Sequence, residues 1–388
     1  MRVYNDPTGG KPSSHGEQIV TAFFERKAIE EIAPEQYFTQ LASVTMMPKH
    51  AGKKLERYVH IPLLDDRNIN DQGIDATGKR ITAGNLYGSS RDIGTITKSM
   101  PVLQERGGRV NRVGFSRQKI VGTMQQFGYF TEYTQDSLDF DTEDDLDQYA
   151  TSQMVATASR ITEDLIQIDV VNAAGTVIYG GTAQKVAEMN ETSKFTWQDL
   201  SKLSTALDRT RTPKSTKVIT GSLKTDTKTL PAARVMFVGP ALTEQLRRTV
   251  DYFGDAGWIP VQKYGDATTL LRGEIGTIDQ FRVVLNPEMM YWEGAGAEVA
   301  DDKNIATTDG KADVHPMLVI GDDCFTTIGF HPTGTNTKFQ IIHKRPGEGQ
   351  ASNADPYGKR GFMSIQWWYG FMVTRPERIA LIKTVVDL

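Results

Sequence analysis

Cysteine is almost absent from this 388-residue sequence, in which Cys324 is the only one. A single thiol excludes an internal disulfide and a cysteine-based metal site within one chain. Long apolar runs are also missing. The longest aromatic and apolar stretch, 367–373, is far shorter than the roughly 20 residues of a membrane-spanning helix. The N-terminal residues lack the apolar core of a secretion signal. We therefore expect a protein that is made in the cytoplasm and is not inserted in a membrane.

Neither sign of charge dominates, since 44 basic residues face 48 acidic ones and the formal net charge is −4. Such a chain has no overall positive field that would draw it to nucleic acid or to anionic lipid. The charges are nevertheless segregated along the sequence. A basic group comprises Arg106, Arg109, Arg112 and Arg117, and an acidic group comprises Asp141, Glu143, Asp144 and Asp145. We predict that these groups make contacts between subunits. The alternative is two solvated faces of one subunit.

Catalytic and metal-binding motifs are missing as well. The run from Asp66 to Asn70 has the alternate spacing of a calcium loop, but the glycine and the closing glutamate that such a loop needs are absent. The six histidines are scattered, and the pattern around Asp313 and His315 indicates a solvated turn. Cys324 precedes a strand-like run and is expected to be a buried, unreactive thiol. We expect no catalytic residue, no metal and no cofactor, and hence no enzyme.

Two helical segments stand out. Apolar residues at helical spacing from Ile19 to Ile32 predict an amphipathic N-terminal arm, with a core helix of a compact domain as the alternative. Further on, a capping-box pattern at Thr142 and Asp145 opens a long helix that is predicted to end near Asn172. Its apolar face steps by three and four residues and is expected to pack on a sheet. That predicted core face comprises Met154, Ile161, Leu165 and Ile168.

Strand patterns frame the rest of the chain. Strands near 55–61 and 120–134 bracket about fifty residues with little periodicity, which predicts a long hairpin-like arm. Beyond the long helix, the pattern predicts a mixed α/β body with a helix at 197–210 and another after Pro240. The predicted strands of this body are 235–238, 281–285, 317–320, 325–330 and 339–342, and two closing strands follow at 361–373 and 378–387.

This order of parts resembles the major capsid proteins of tailed bacteriophages, which have the Hong Kong 97-type fold. Three stretches carry a closer resemblance to the branch named after coliphage N-four. They are MPKHAGKKLERYVHIP (47–62), VGTMQQFGYFTEYTQDSLDF (121–140) and RGEIGTIDQFRVVLNP (272–287). The first is similar to the entry into an extended loop, the second to the returning strand, and the third to a turn before a strand. The resemblance covers most of residues 16–388.

The resemblance implies an α+β, Hong Kong 97-like architecture. It has an N-terminal arm, an extended loop formed by a long β-hairpin, a long spine helix, a peripheral domain and an axial domain. The implied division is 1–50 for the arm, 51–125 for the extended loop and its strands, and 126–215 for the spine helix and peripheral domain. Residues 216–340 would form the axial domain, and 341–388 would supply the closing strands of the peripheral domain.

The function implied is that of a major capsid protein. It would self-assemble as hexamers and pentamers into an icosahedral shell around the double-stranded DNA genome of a tailed phage. Many copies of itself would be its partners, together with scaffold, portal and decoration proteins. It would be found in the virion after assembly in the host cytoplasm, and would enclose DNA without sequence-specific binding. Two alternatives stay open: an encapsulin-like shell protein of a cellular nanocompartment, and a soluble α/β enzyme with a long lid.

Overall fold

The computed structural model describes residues 37–41, 43–47, 52–60, 117–140, 146–219, 227–230, 234–263, 271–299, 304–330, 339–347, 351 and 355–387. Within these ranges the helices are α1 (Gln135–Phe140), α2 (Leu146–Asn172), α3 (Trp197–Arg209) and α4 (Thr243–Arg248). None of the helices in this part of the chain combines the length and apolar content needed to span a lipid bilayer.

The strands of the described residues form two large sheets and two small ones. In chain order they are β1 (Ser43–Met47), β2 (Lys54–His60), β3 (Arg117–Thr134), β4 (Thr176–Tyr179), β5 (Thr216–Ile219), β6 (Thr227–Leu230), β7 (Arg234–Val238), β8 (Trp258–Pro260), β9 (Glu274–Ile278), β10 (Phe281–Leu285), β11 (Thr307–Thr308), β12 (Lys311–Ala312), β13 (Val314–Ile320), β14 (Phe325–Phe330), β15 (Phe339–Lys344), β16 (Arg360–Val373) and β17 (Ile379–Val385). The two small sheets are β5 with β6 and β11 with β12.

The seven-stranded sheet has the order β4-β17-β13-β7-β10-β9-β8. Its central strands β7 and β13 are buried along their whole length, which explains their nearly continuous apolar sequences. Pro316 lies within β13 and lacks an N–H. It pairs with Lys383 on β17, while the β7 ladder begins one residue later at Met317. Val314 exchanges both backbone hydrogen bonds with Trp292 on the β7 side, so the nitrogen of Pro316 faces that side too, just before the β7 ladder begins.

Helix α3 covers this sheet. A capping box starts it, in which the backbone N–H of Thr196 donates to the carboxylate of Asp199 over 3.1 Å. Leu200, Leu203 and Leu207 lie on one face at helical spacing, are fully buried, and join the core of the sheet. The sequence and the packing agree here, because the apolar stripe is regular and its cap satisfies the first exposed backbone donors.

The second large sheet has the order β1-β14-β16-β3-β2, and β15 also pairs with β16. Strand β16 alternates between buried and half-buried residues, as expected for a sheet with one packed face. A compact apolar cluster lies between its strands and comprises Met47, Met124, Ile328 and Met372. Strand β1 joins this sheet by parallel pairing with β14, so that Ser43 lies opposite Thr326.

The chain divides into two compact units. The larger comprises Gln36–Gly128, Arg160–Gln340 and Gln366–Leu388, and the smaller draws its described residues from Tyr129–Ser159 and Ile341–Ile365. Within the smaller unit, the backbone N–H of Gln135 donates to the carbonyl of Lys359 over 2.8 Å. The hydroxyl of Tyr129 donates to the carbonyl of Met154. The end of β3, the start of α2 and the start of β16 are thereby tied together.

Most predicted elements are present. The strands predicted at 281–285 and 325–330 match β10 and β14, the helix at 197–210 matches α3, and α2 ends at Asn172 as predicted. The capping box at Thr142 and Asp145, the arm helix from Ile19 to Ile32 and the loop 63–116 lie outside the described residues. The five-part division into arm, loop and domains stays a prediction.

Candidate functional site

Strands β2 and β3 form an exposed ribbon at the end of the second large sheet. They pair antiparallel from Lys54 opposite Thr123 to His60 opposite Arg117. Directly opposite residues point to the same face, so one face carries Glu56, Tyr58, His60, Arg117, Lys119 and Val121, all of which are exposed. The ribbon therefore presents a face on which each of these described side chains is exposed.

The exposed face of the ribbon is ordered by its own side chains. The ammonium of Lys119 contacts the Glu56 carboxylate at 2.5 Å. This hydrogen bond raises the pKa of Lys119. The guanidinium of Arg117 lies over the ring of Tyr58, 5.1 Å from its centroid. Such contacts hold the long side chains in place without burying them.

Only one of the eight predicted charged contact residues falls on described structure. Arg117 is exposed at the end of the ribbon, where β3 begins. The other seven lie outside the described residues: Arg106, Arg109, Arg112, Asp141, Glu143, Asp144 and Asp145. The predicted meeting of the basic and acidic groups is therefore not tested by the structure, and stays a prediction.

Helix α2 buries a different face from the one predicted. Met154 is buried at 5% exposure, as expected of a core residue, but Ile161 and Leu165 are only half-buried and Ile168 is 42% exposed. The buried stripe instead steps by four from Met154 through Ala158, Thr162, Ile166 and Val170. The assignment of Ile168 to the core was wrong, and Ile161 and Leu165 flank the buried stripe.

The physical reason for this rotation is that polar residues of α2 find partners inside the larger unit. Glu163 is buried, and its carboxylate accepts hydrogen bonds from the backbone N–H groups of Phe38 over 3.0 Å and Thr39 over 3.2 Å. Gln167 is also buried and donates to the sulfur of Met289 over 3.1 Å. Paired polar groups tolerate burial, so the apolar pattern alone misplaced the face. One sequence signal could have indicated the correct face. Glu163 and Gln167 are four residues apart, as are Ile166 and Val170, so the two pairs lie side by side on the helix.

His315 and Asp313 form a buried polar cluster, so the predicted solvated turn is wrong. The His315 ring stacks on Tyr291 with centroids 4.7 Å apart, and burial lowers its pKa. The Asp313 carboxylate accepts hydrogen bonds from the Gly294 N–H over 2.7 Å and from the Thr308 hydroxyl over 3.1 Å. These bonds hold the loop that leads into β13, which is a structural role.

The predicted character of Cys324 is confirmed. Its side chain is buried at 2% exposure, and burial raises the pKa of the thiol to about 12. At neutral pH it is therefore a thiol and not the reactive thiolate. Within the described ranges, no group of three or more histidine, cysteine, aspartate or glutamate residues could hold a metal ion.

Two sequence comparisons bear on this chain. A family model described as "Phage capsid protein" matches residues 117–383. The major capsid protein of Pseudomonas phage KPP21 is 51% identical over 387 residues, which cover 99% of this chain and 97% of that protein.

Solved capsid structures share the fold. The capsid of Ralstonia phage GP4 aligns with a TM-score of 0.55 at 13% identity, over 96% of this chain and 99% of that one. The capsid asymmetric unit of cyanophage Pam1 aligns with a TM-score of 0.54 at 11% identity, over 96% and 98% of the two chains. At such low identities these alignments show a common fold alone.

Proposed function

Because the chain belongs to the phage capsid protein family, we propose that it is the major capsid protein of a tailed bacteriophage. It is a structural component of the virion and assembles in many copies into an icosahedral shell. The observation that carries this conclusion is the 51% identity to a phage major capsid protein over nearly the full length of both chains. It favours a viral shell over an encapsulin-like nanocompartment and over a soluble α/β enzyme.

The finer architecture is a Hong Kong 97-type fold of the branch named after coliphage N-four. In this proposal the β2–β3 ribbon is the base of the extended loop, and α2 is the spine helix. Residues 1–50 form the N-terminal arm, 216–340 the axial domain, and the closing strands β16 and β17 belong to the peripheral domain. The exposed ribbon supports this assignment, because a two-stranded ribbon is at best marginally stable alone and gains stability from a neighbouring surface.

The shell encloses double-stranded DNA without reading its sequence. A net charge of −4 suits this task, because a strongly basic inner surface would bind phosphates at every site it met. Hexamers and pentamers of this chain are the assembly units in the proposal, and scaffold, portal and decoration proteins are further partners.

Self-assembly is tested with the purified full-length chain. Sedimentation and electron microscopy should show hexamers, pentamers or closed shells as concentration and ionic strength are varied, with and without a scaffold protein. A monomer under all of these conditions would contradict the proposal.

The charged groups provide a second test. Reversing Arg109 and Arg112 to Glu should impair shell formation while the subunit keeps its unfolding midpoint, because many weak ion pairs are lost together in a shell. As a control, reversal of Lys344 and Arg345, two exposed residues at the end of β15, tests whether any two added acids have the same effect. Normal shells from the Arg109 and Arg112 double variant would refute the proposed contact.

A further inference from the structure

Two neighbouring strands run through both large sheets. In the seven-stranded sheet β13 pairs antiparallel with β17, and the pairing ends with Ile320 opposite Ile379. After two short connections, the same two chain segments pair again in the second large sheet, as β14 and β16. The connections are 321–324 and 374–378, and we call them together the junction. The junction belongs to the larger unit. Strands that change sheet at a bend form the corner between two sheets, so the junction is where the angle between the two sheets is set.

Backbone hydrogen bonds connect the two halves of the junction. The N–H of Gly321 donates to the carbonyl of Arg378 over 3.0 Å. The N–H groups of Thr374 and Arg375 both donate to the carbonyl of Cys324, over 2.8 Å and 3.0 Å. The first bond lies at the end of the seven-stranded sheet, and the other two lie at the start of the second sheet. The two connections therefore remain paired through the bend, although the regular register of the strands is interrupted there.

Close packing fixes the path of both connections. A Cβ atom on Gly321 would lie 2.8 Å from the methyl group of Thr212 and 3.0 Å from the carbonyl oxygen of Arg378. A Cβ atom on Gly175, which follows α2, would lie 2.5 Å from the carbonyl oxygen of Pro376. A larger residue at either glycine would push the neighbouring chain away. The segments that follow α2 and α3 therefore lie directly against the junction, and they leave it little room to move.

Arg378 adds a side-chain hydrogen bond across the junction. Its Nη1 donates to the carbonyl of Asp322 over 2.6 Å, and the side chain is partly buried. The carboxylates of Asp322, Asp323 and Glu377 lie close enough to attract the guanidinium, and Arg375 lies close enough to repel it. A hydrogen bond from a charged donor is shorter and stronger than one between neutral groups. The guanidinium therefore holds the two connections at a fixed separation.

We infer that Arg378 is a positioning residue that sets the angle between the two large sheets, and through this angle the curvature of the shell. The inference rests on the proposed function, because curvature exists only in an assembly. A closed assembly needs one fixed geometry between the surfaces by which each subunit contacts its neighbours. In the proposed architecture, most strands of the seven-stranded sheet belong to the axial domain, and the second sheet carries the β2–β3 ribbon. The junction therefore relates two surfaces that meet different neighbours.

The distance between the sheets in the unassembled subunit is the first test. Spin labels on cysteines that replace Ile259 on β8 and Val121 on β3, both exposed, report this distance by pulsed electron paramagnetic resonance. Cys324 is buried and stays unlabelled. Arg378→Gln should shift or broaden the distance distribution by several ångströms. Arg375→Gln is the matched control, because it removes the same charge from the same connection and leaves the bond from Arg378 in place. An unchanged distribution in Arg378→Gln would overturn the inference.

Shell diameter is the second test. Assemblies of Arg378→Gln should have altered or mixed diameters in electron micrographs, or should fail to close, whereas shells of Arg375→Gln should match those of the wild type. A loss of subunit stability alone would raise the concentration needed for assembly without changing the diameter. The diameter therefore separates a positioning role from a merely structural one. Wild-type diameters from a variant whose sheet distance has changed would overturn the link to curvature.

Two further provisions keep these tests decisive. If Arg378→Gln does not fold, Arg378→Lys replaces it in both tests with the same expected results, because lysine keeps the charge but lacks the planar guanidinium. If wild-type chains form no shells at all, it is the proposed function that fails. The distance measurement on the unassembled subunit then still decides whether Arg378 sets the angle between the sheets.

Discussion

The carboxylate of Glu163 accepts a 3.0 Å hydrogen bond from the backbone N–H of Phe38, which lies 125 positions earlier in the chain. Thr39 donates a second backbone hydrogen bond of 3.2 Å to the same carboxylate, and the Phe38 ring contacts Phe237 with centroids 4.5 Å apart. Together these contacts fix the segment that leads into β1 on the larger unit.

Glu163→Ala should therefore lower the free energy of unfolding of the isolated subunit by about 1–3 kcal/mol, because it leaves buried backbone donors without an acceptor. Chemical denaturation measures this. Glu288→Ala is the control. Glu288 pairs with Arg160, which lies on α2 like Glu163, but the Glu288 side chain is half-exposed. Its loss should change the free energy of unfolding by less than about 1 kcal/mol. Equal losses in the two variants would show that the Glu163 anchor adds nothing.

The two faces of α2 can be separated with two isoleucines. Ile166 is 1% exposed and Ile168 is 42% exposed, and both lie on the same helix. Ile166→Ala should cost about 2–5 kcal/mol of subunit stability as a buried truncation, and Ile168→Ala should cost less than half as much. Urea unfolding of both variants is the measurement. The reverse order would restore the face that the sequence pattern predicted.

His315 should make subunit stability depend on pH. Burial lowers its pKa from the ordinary value of 6.5, so the unfolded chain takes up a proton at a higher pH than the native chain does. Its contribution is therefore intact above about pH 6.5 and is lost as the pH falls toward the lower native value.

His315→Phe keeps a ring against Tyr291 but has nothing to titrate. The loss of stability between about pH 7.5 and pH 5.5 should be smaller in this variant than in the wild type, as measured by denaturation at each pH. Above pH 7.5, where the histidine is neutral in both states, the two curves should run parallel. An identical decline in both proteins would assign the pH dependence to other groups.

Cys324 should resist thiol reagents in the folded subunit. Its pKa of about 12 and its burial leave almost no accessible thiolate at neutral pH. Ellman's reagent should react with it only after denaturation. Phe253→Cys provides the matched control, because Phe253 is 89% exposed and a thiol at that position should react at once with one equivalent. Fast reaction of two thiols in that folded variant would contradict the burial of Cys324.

The spacing of apolar residues was sufficient to predict those helices and strands whose buried side chains are all apolar. The run from Val235 to Val238 and the leucine stripe of α3 predict their structures because every residue supports the same packing. The order of the predicted parts likewise resembled that of phage capsid proteins, which agrees with the family to which the chain belongs. The branch that the three quoted stretches suggested stays a proposal.

Pattern failed where burial depends on a distant partner. Thr162, Glu163 and Gln167 are polar, so a search for apolar spacing left them out of the predicted buried face of α2 and included Ile168 in their place. His315 was assigned to a solvated turn, although Tyr291 covers its ring. The pattern did not predict β1, which pairs in parallel with a strand about 280 residues further on.

The sequence by itself determined the class of the fold, the position of most helices and strands, and the family. These follow from how strongly each side chain prefers an apolar environment to water and from the backbone preferences of neighbouring residues. Only the tertiary structure decided which face of α2 is buried, which carboxylate holds the start of the described chain, and that the Phe253 side chain is exposed. Each of these depends on groups far apart in sequence, whose hydrogen bonds and contacts exist only once the chain has folded.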